Sequence, residues 1–150
     1  MTETIKAALS DAVKQAMRTK DKPRLGVLRM TMAAIKQREI DEHISLDDSQ
    51  TLAVLTKMVK QRRDAMSQFL SAGREDLANQ ESYEVEVLQE FLPKALSDSE
   101  LEQIIDDLVT ELGANSVADM GKVMAAVKAK VAGQADMGQV SGKVKARLSR

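Results

Sequence analysis

Cysteine and tryptophan are absent from these 150 residues, and only Phe69, Tyr83 and Phe91 carry aromatic rings. Without cysteine there can be no disulfide, thiol nucleophile, iron–sulfur cluster or thiolate-bound zinc. Three aromatics leave almost nothing from which to build a platform for stacking unpaired bases. No apolar run reaches 18 residues, and the N-terminal MTETIKAALSDAVKQAM lacks the basic start and unbroken apolar core of a secretory signal. These absences predict a cytoplasmic protein without a membrane partner. Charge of one sign is lacking too: 22 Lys and Arg against 23 Asp and Glu give a net −1, which excludes a uniformly basic nucleic-acid coat and a uniformly acidic tail. Any electrostatic function must therefore be local.

What is present is helical. Two prolines and seven glycines leave long stretches unbroken, and within them apolar residues recur every three or four positions, as amphipathic helices require. The spacing predicts a helix from Thr2 to Lys20 with Ile5, Leu9, Val13 and Met17 inward. A second, capped by Asp21 with Pro23 in its first turn, points Leu25, Leu28, Met32 and Ile35 inward and ends near His43 and Ile44. A third opens at Asp47 and Asp48, buries Leu52, Leu55, Val59, Met66 and Leu70, and stops at Gly73, and a fourth spans Arg74 to Leu92. Pro93 then breaks the pattern. Ser97 and Glu100 form a capping-box sequence for a fifth helix, Asp98 to Leu112, closed by Gly113. Beyond it Ala118-Asp119-Met120-Gly121 recurs 17 residues later as Ala135-Asp136-Met137-Gly138, followed at matching offsets by Val123 and Val127, then Val140 and Val144. Two helices, each N-capped by its Asp, follow. The expected fold is all-α, with an N-terminal bundle of about four helices over 1–93 and a three-helix tail domain over 94–150.

Charge alternates by segment, from about +7 over 14–38 to about −5 over 74–92, then about −5 over 94–112 and about +5 over 113–150. Charge-balanced packing of neighbouring helices is the plain reading. The alternative is basic faces left open to a polyanion. Arg29 and Lys36 share one edge of the second helix, two turns or about 10 Å apart. Lys57 and Lys60 point away from the third helix's apolar stripe, whereas Arg62 falls within it and Arg63 at its edge. A buried guanidinium needs a partner. A hairpin folded at Gly73 brings position 62 opposite 84, so Arg62 and Arg63 are expected to pair with Glu84 and Glu81. In the tail, Lys122, Lys128, Lys143 and Lys145 decorate the repeat, and Gly121, Gly138 and Gly142 give its helices small-residue faces. Such faces suit close helix packing, or approach of a phosphate backbone.

No catalytic constellation is legible. His43 has no second His or Cys with which to hold a metal, and the phosphate-binding, nucleophile-elbow and zinc-helix motifs are all missing. Acids adjacent in sequence, such as Asp106 and Asp107, diverge by 100° on a helix. Neither a cofactor nor a metal site is expected.

The segments LRMTMAAIKQREI (28–40), KQRRDA (60–65), AGREDLA (72–78), EVEVLQEFLP (84–93), DMGKVM (119–124) and VAGQADMGQVSGKVKARL (131–148) together resemble the YqeY-like family over essentially the whole chain. That family is similar to the C-terminal helical and tail region of the B subunit of the glutamine-dependent aspartyl/glutamyl-tRNA amidotransferase. The resemblance implies a two-part helical fold and a tRNA-contacting module, with the start of the Gly121-Lys122 helix and the Gly133 to Gly142 hairpin facing tRNA. Gln134 stands where a basic residue is commoner in the family. The resemblance also carries a carbon–nitrogen ligase association with glutamine as amido donor, although the subunit's catalytic domain has no counterpart here. Three readings follow: a tRNA-binding accessory protein without chemistry of its own, a ligase component docked on an amidase or synthetase, and a helical protein-interaction module.

Overall fold

The computed structural model describes residues 3–149. Among them are seven α-helices, one short 3-10 turn and no strand, so the all-α expectation holds. Two compact units divide the chain, Met1–Leu92 and Pro93–Arg150.

The first unit contains α1 (Ile5–Arg18), α2 (Lys22–Glu42), α3 (Asp48–Ser71) and α4 (Glu75–Gln89). Short polar side chains begin these helices by taking up orphan backbone N–H groups. Thr4 accepts from Ala7, Asp21 from Arg24 and Asp47 from Gln50, whose own side chain returns to Asp47 N–H in a complete capping box. Asp48 instead accepts the N–H of Ile5 at 3.0 Å, tying the start of α1 to that of α3. At the α3–α4 corner Gly73 adopts φ +74° while Arg74 N–H reaches the Phe69 carbonyl at 2.8 Å. That turn needs the left-handed region, which suits glycine. Leu9, Ala16, Val27, Leu28, Ile35, Leu46 and Val87 form one buried cluster, and Leu55, Met58, Val59, Val85 and Leu88 another, with Ile5, Val54 and Phe91 packed against both.

Several expected positions shift. Thr2 lies outside the described residues, and α1 starts at Ile5. Met17 and Leu70, placed on buried stripes by spacing, are 52% and 54% exposed. Steps of four advance 400° and drift 40° each time, so by Met17 the series started at Leu9 has left the interface and Ala16 takes its place. On α2, Val27 and Thr31 are buried where Leu25 and Met32 are only partly so. Thr31 is tolerated there because its hydroxyl donates to the Val27 carbonyl at 2.8 Å.

The second unit contains α5 (Asp98–Leu112), α6 (Met120–Lys130) and α7 (Met137–Leu148) around Leu101, Ile105, Leu108, Val109, Val123, Val127, Val131, Val140, Val144 and Leu148. Ser97 caps α5, but the Glu100 carboxylate accepts from the Ser97 hydroxyl instead of its N–H, so the capping box is half made. Asp136 caps α7 through Gln139 N–H, whereas Asp119 does not cap α6: the 3-10 turn Val117–Asp119 precedes that helix, and the Asp119 carboxylate accepts from Asn115 N–H at 3.1 Å. The sequence repeat is thus not a structural repeat at its start.

Candidate functional site

The charged side chains sort into those held by the fold and those left open. Arg62 is held. Its Nε lies 3.0 Å from Glu84 Oε2 and 3.7 Å from Glu81 Oε2, and its Nη2 donates to Met30 Sδ at 3.2 Å. All three charged side chains are largely buried, at 23%, 15% and 17% exposure. Arg62 Nε and Glu81 Oε2 are nonetheless left without an aligned hydrogen bond among the described residues, so this contact is attraction between charges more than directed bonding. Arg63, expected to join the cluster, is exposed and makes no ion pair among the described residues. It lies 100° farther round α3, beyond the reach of α4.

One guanidinium cannot neutralise two carboxylates. Burial, then the neighbouring Glu84 charge, push the Glu81 carboxyl above its usual range, with Arg62 opposing. A group whose folded pKa is raised stabilises fully below its unfolded pKa and loses that contribution as pH rises through the folded value. Glu81→Gln is therefore expected to raise the melting temperature at pH 7 and leave it nearly unchanged near pH 4. Melting curves across that range check this, and a lowered value at pH 7 would contradict it.

A second held cluster escaped sequence reasoning. Glu39 on α2 accepts from Lys6 Nζ at 2.7 Å and from Leu46 N–H at 2.8 Å, and the same lysine donates to Ser45 Oγ at 3.2 Å. The lysine bond and then the Leu46 N–H hold the Glu39 carboxyl below its usual range. This clasp joins α1, α2 and the α2–α3 loop. His43 closes α2 beside it in the left-handed conformation, φ +55°. Arg24 likewise grips Glu90 with two bonds, at 2.6 and 3.1 Å. Partners 33 and 66 residues apart leave no local signal.

In the second unit the fold itself engages several of the residues expected to face nucleic acid. Lys143, expected to face nucleic acid, is drawn to Glu102 at 3.1 Å and Asp98 at 3.7 Å on α5, while Arg147 binds Asp106 at 2.7 Å. The acidic face of α5 claims both cations of α7 that flank its buried stripe. Lys122 is exposed but reaches back to the Leu112 carbonyl at the end of α5, at 3.4 Å. Gly133 serves a turn, at φ +76°, and Gln134 is structural: its carbonyl accepts from Leu96 N–H at 2.9 Å and its amide donates to the Lys94 carbonyl at 3.2 Å. Gly121, Gly138 and Gly142 are exposed, and a Cβ on Gly121 or Gly142 would meet nothing within 4 Å. Helix packing does not account for those small faces.

Of the cations expected at the site, Arg29, Lys36, Lys57, Lys60, Lys128 and Lys145 remain, all exposed and without an ion pair among the described residues. Arg29 and Lys36 project from α2, and Lys57 and Lys60 from α3, on faces turned away from the buried clusters. Lys128 and Lys145 occupy equivalent positions of the 17-residue repeat, each one residue past a buried valine. No group of three His, Asp or Glu side chains among the described residues is arranged to hold a metal ion.

The family model described as Yqey-like protein matches residues 6–148. The chain is 32% identical over 120 residues to the "Altered inheritance of mitochondria protein 41, mitochondrial" of Vanderwaltozyma polyspora, covering 75% of this chain and 64% of that protein. The proteins of the same name in Kluyveromyces lactis and Eremothecium gossypii are 35% identical over 109 residues and 34% identical over 131, covering 68% and 81% of this chain and 59% and 68% of theirs. Across three such relatives the chain spans only 58% to 64% of their length. These names correct the cytoplasmic expectation, because they point to the mitochondrion. The features behind that expectation, no secretory signal and no membrane-crossing run, do not separate the two compartments.

Proposed function

Because this chain belongs to the YqeY-like family, we propose that it is a tRNA-binding accessory protein, similar to the tail of the amidotransferase B subunit and without chemistry of its own. The observation that carries this reading is that six of the cations expected at the site are left without an ion pair among the described residues. Arg29, Lys36, Lys57, Lys60, Lys128 and Lys145 make no ion pair among the described residues and stand on exposed faces. Lysine and arginine on such faces bind a phosphate backbone through counterion release, with little base preference. In the second unit Lys128 and Lys145 are the phosphate contacts, and the open Gly121 and Gly142 faces admit the backbone close to main chain. The four-helix and three-helix units act as separate domains in this proposal, and an amidase or synthetase that handles aminoacyl-tRNA is the partner it would serve.

Neutralising Lys128, Lys130 and Lys145 together tests the reading. All three are exposed and none has an ion pair among the described residues. The expected result is weaker tRNA binding in a gel shift at unchanged melting temperature. The slope of log K against log salt should flatten by about 0.7 to 0.9 for each phosphate that is no longer neutralised. Lys143→Gln is expected to lower stability instead, because it strips Glu102 and Asp98 of their partner. Unchanged affinity in the triple variant would favour a protein-interaction module.

A further inference from the structure

We infer that the exposed face of α2 is a docking surface for the backbone of a nucleic-acid duplex, a stem and not a single strand. The inference rests on the tRNA reading and names the part of the molecule recognised. Lys22, Arg29 and Lys36 follow one another at seven-residue intervals, which on an α-helix places them along one line at a pitch of about 10.5 Å. All three are exposed and none has an ion pair among the described residues. From Lys22 to Arg38 the sequence contains no acidic residue. The nearest acids on α2's ends are engaged: Asp21 caps the helix, and Glu39 is held by Lys6 and Leu46 N–H. The line is thus a run of positive charge with no ion pair of its own among the described residues, met only at its ends by Asp21 and by the Glu39 charge near Lys36.

Two features choose the ligand. Between the cations, on the same face, stand Gly26 and Ala33, both exposed. A Cβ on Gly26 would meet nothing within 4 Å, so the fold does not require glycine there, although glycine inside a helix is unfavourable. The low ground between the cations lets a rigid rod of phosphates lie against the helix backbone. In addition, no aromatic side chain lies on α2, and Tyr83 and Phe91 are packed against the first unit's core. Single strands are held by stacking on aromatic rings, whereas duplexes are read through backbone and shape. A face with charge but no rings fits the duplex.

The test uses the full chain, with a 12-base-pair RNA duplex, a single strand carrying the same number of phosphates, intact tRNA and anionic vesicles as probes. The expected result is tighter binding to the duplex than to the single strand. Lys22→Gln/Arg29→Gln/Lys36→Gln should lose of the order of tenfold in duplex affinity at 0.1 M salt and flatten the salt slope by about 2 to 3. Gly26→Gln, which adds bulk without charge, should also weaken duplex binding, while Gly26→Ala raises the melting temperature. If tRNA binds but the triple variant binds it unchanged, or single strands bind better, the inference fails and the tRNA reading stands. If tRNA does not bind while duplex binding still depends on the three cations, the tRNA reading fails and the surface stands. Cation-dependent binding to vesicles alone would overturn both.

Discussion

Arg62→Met is expected to cost about 3 kcal/mol of stability at neutral pH, because it leaves Glu81 and Glu84 facing each other in a largely buried site with no cation between them. The penalty should shrink as pH falls toward the ordinary carboxylate range, since protonating either acid removes the repulsion. Combining Arg62→Met with Glu81→Gln and Glu84→Gln should recover most of that stability, as replacing a whole buried ionic group is far cheaper than breaking it. Chemical denaturation at two pH values measures this. If Arg62→Met and Glu84→Gln prove additive within about 0.5 kcal/mol, the two side chains are not coupled.

Leu101→Ala is expected to unfold the second unit while the first stays folded. Leu101 is 2% exposed and lies in the only large apolar cluster among the described residues of Pro93–Arg150. Truncating such a leucine costs about 2 to 5 kcal/mol, and a unit of fewer than about 60 residues has little more stability than that to lose. Its core of valines, leucines and Ile105 has no aromatic residue to add area. An amide spectrum of the variant should lose the dispersed signals of residues 94–149 and keep those of 3–92. A fragment spanning 94–150 should in turn fold alone, with low stability. Collapse of both sets of signals together would mean that the units are one cooperative structure.

Helix ends were legible because their chemistry is local. Asp21, Asp47, Ser97 and Asp136 at helix starts, with Gly73 and Gly113 at helix stops, each act within four residues. Burial was legible where spacing of three and four alternated, as at Leu55 and Val59, and failed where a run of fours drifted off the interface, as at Met17. Asp119 misled because its tetrapeptide copies the one at Asp136, while the 3-10 turn before it turns the carboxylate toward Asn115. For the candidate site the difference between a held and an open cation decides everything, and that difference is tertiary. Lys143 and Lys145 are two residues apart and look alike in sequence. One faces the α5 carboxylates and the other solvent. Arg62 could be singled out because its charge interrupted an apolar stripe, whereas Lys6 and Glu39, each on a mixed face, offered no such sign.

The most direct measurement is the affinity of the full chain for tRNA across a salt series. If the unpaired cations are the interface, log K should fall linearly with log salt, with a slope magnitude of at least about 3 for four or more neutralised phosphates. Base changes in the tRNA should matter little beside salt. No binding at about 50 mM salt, or binding that salt leaves unchanged, would contradict the account.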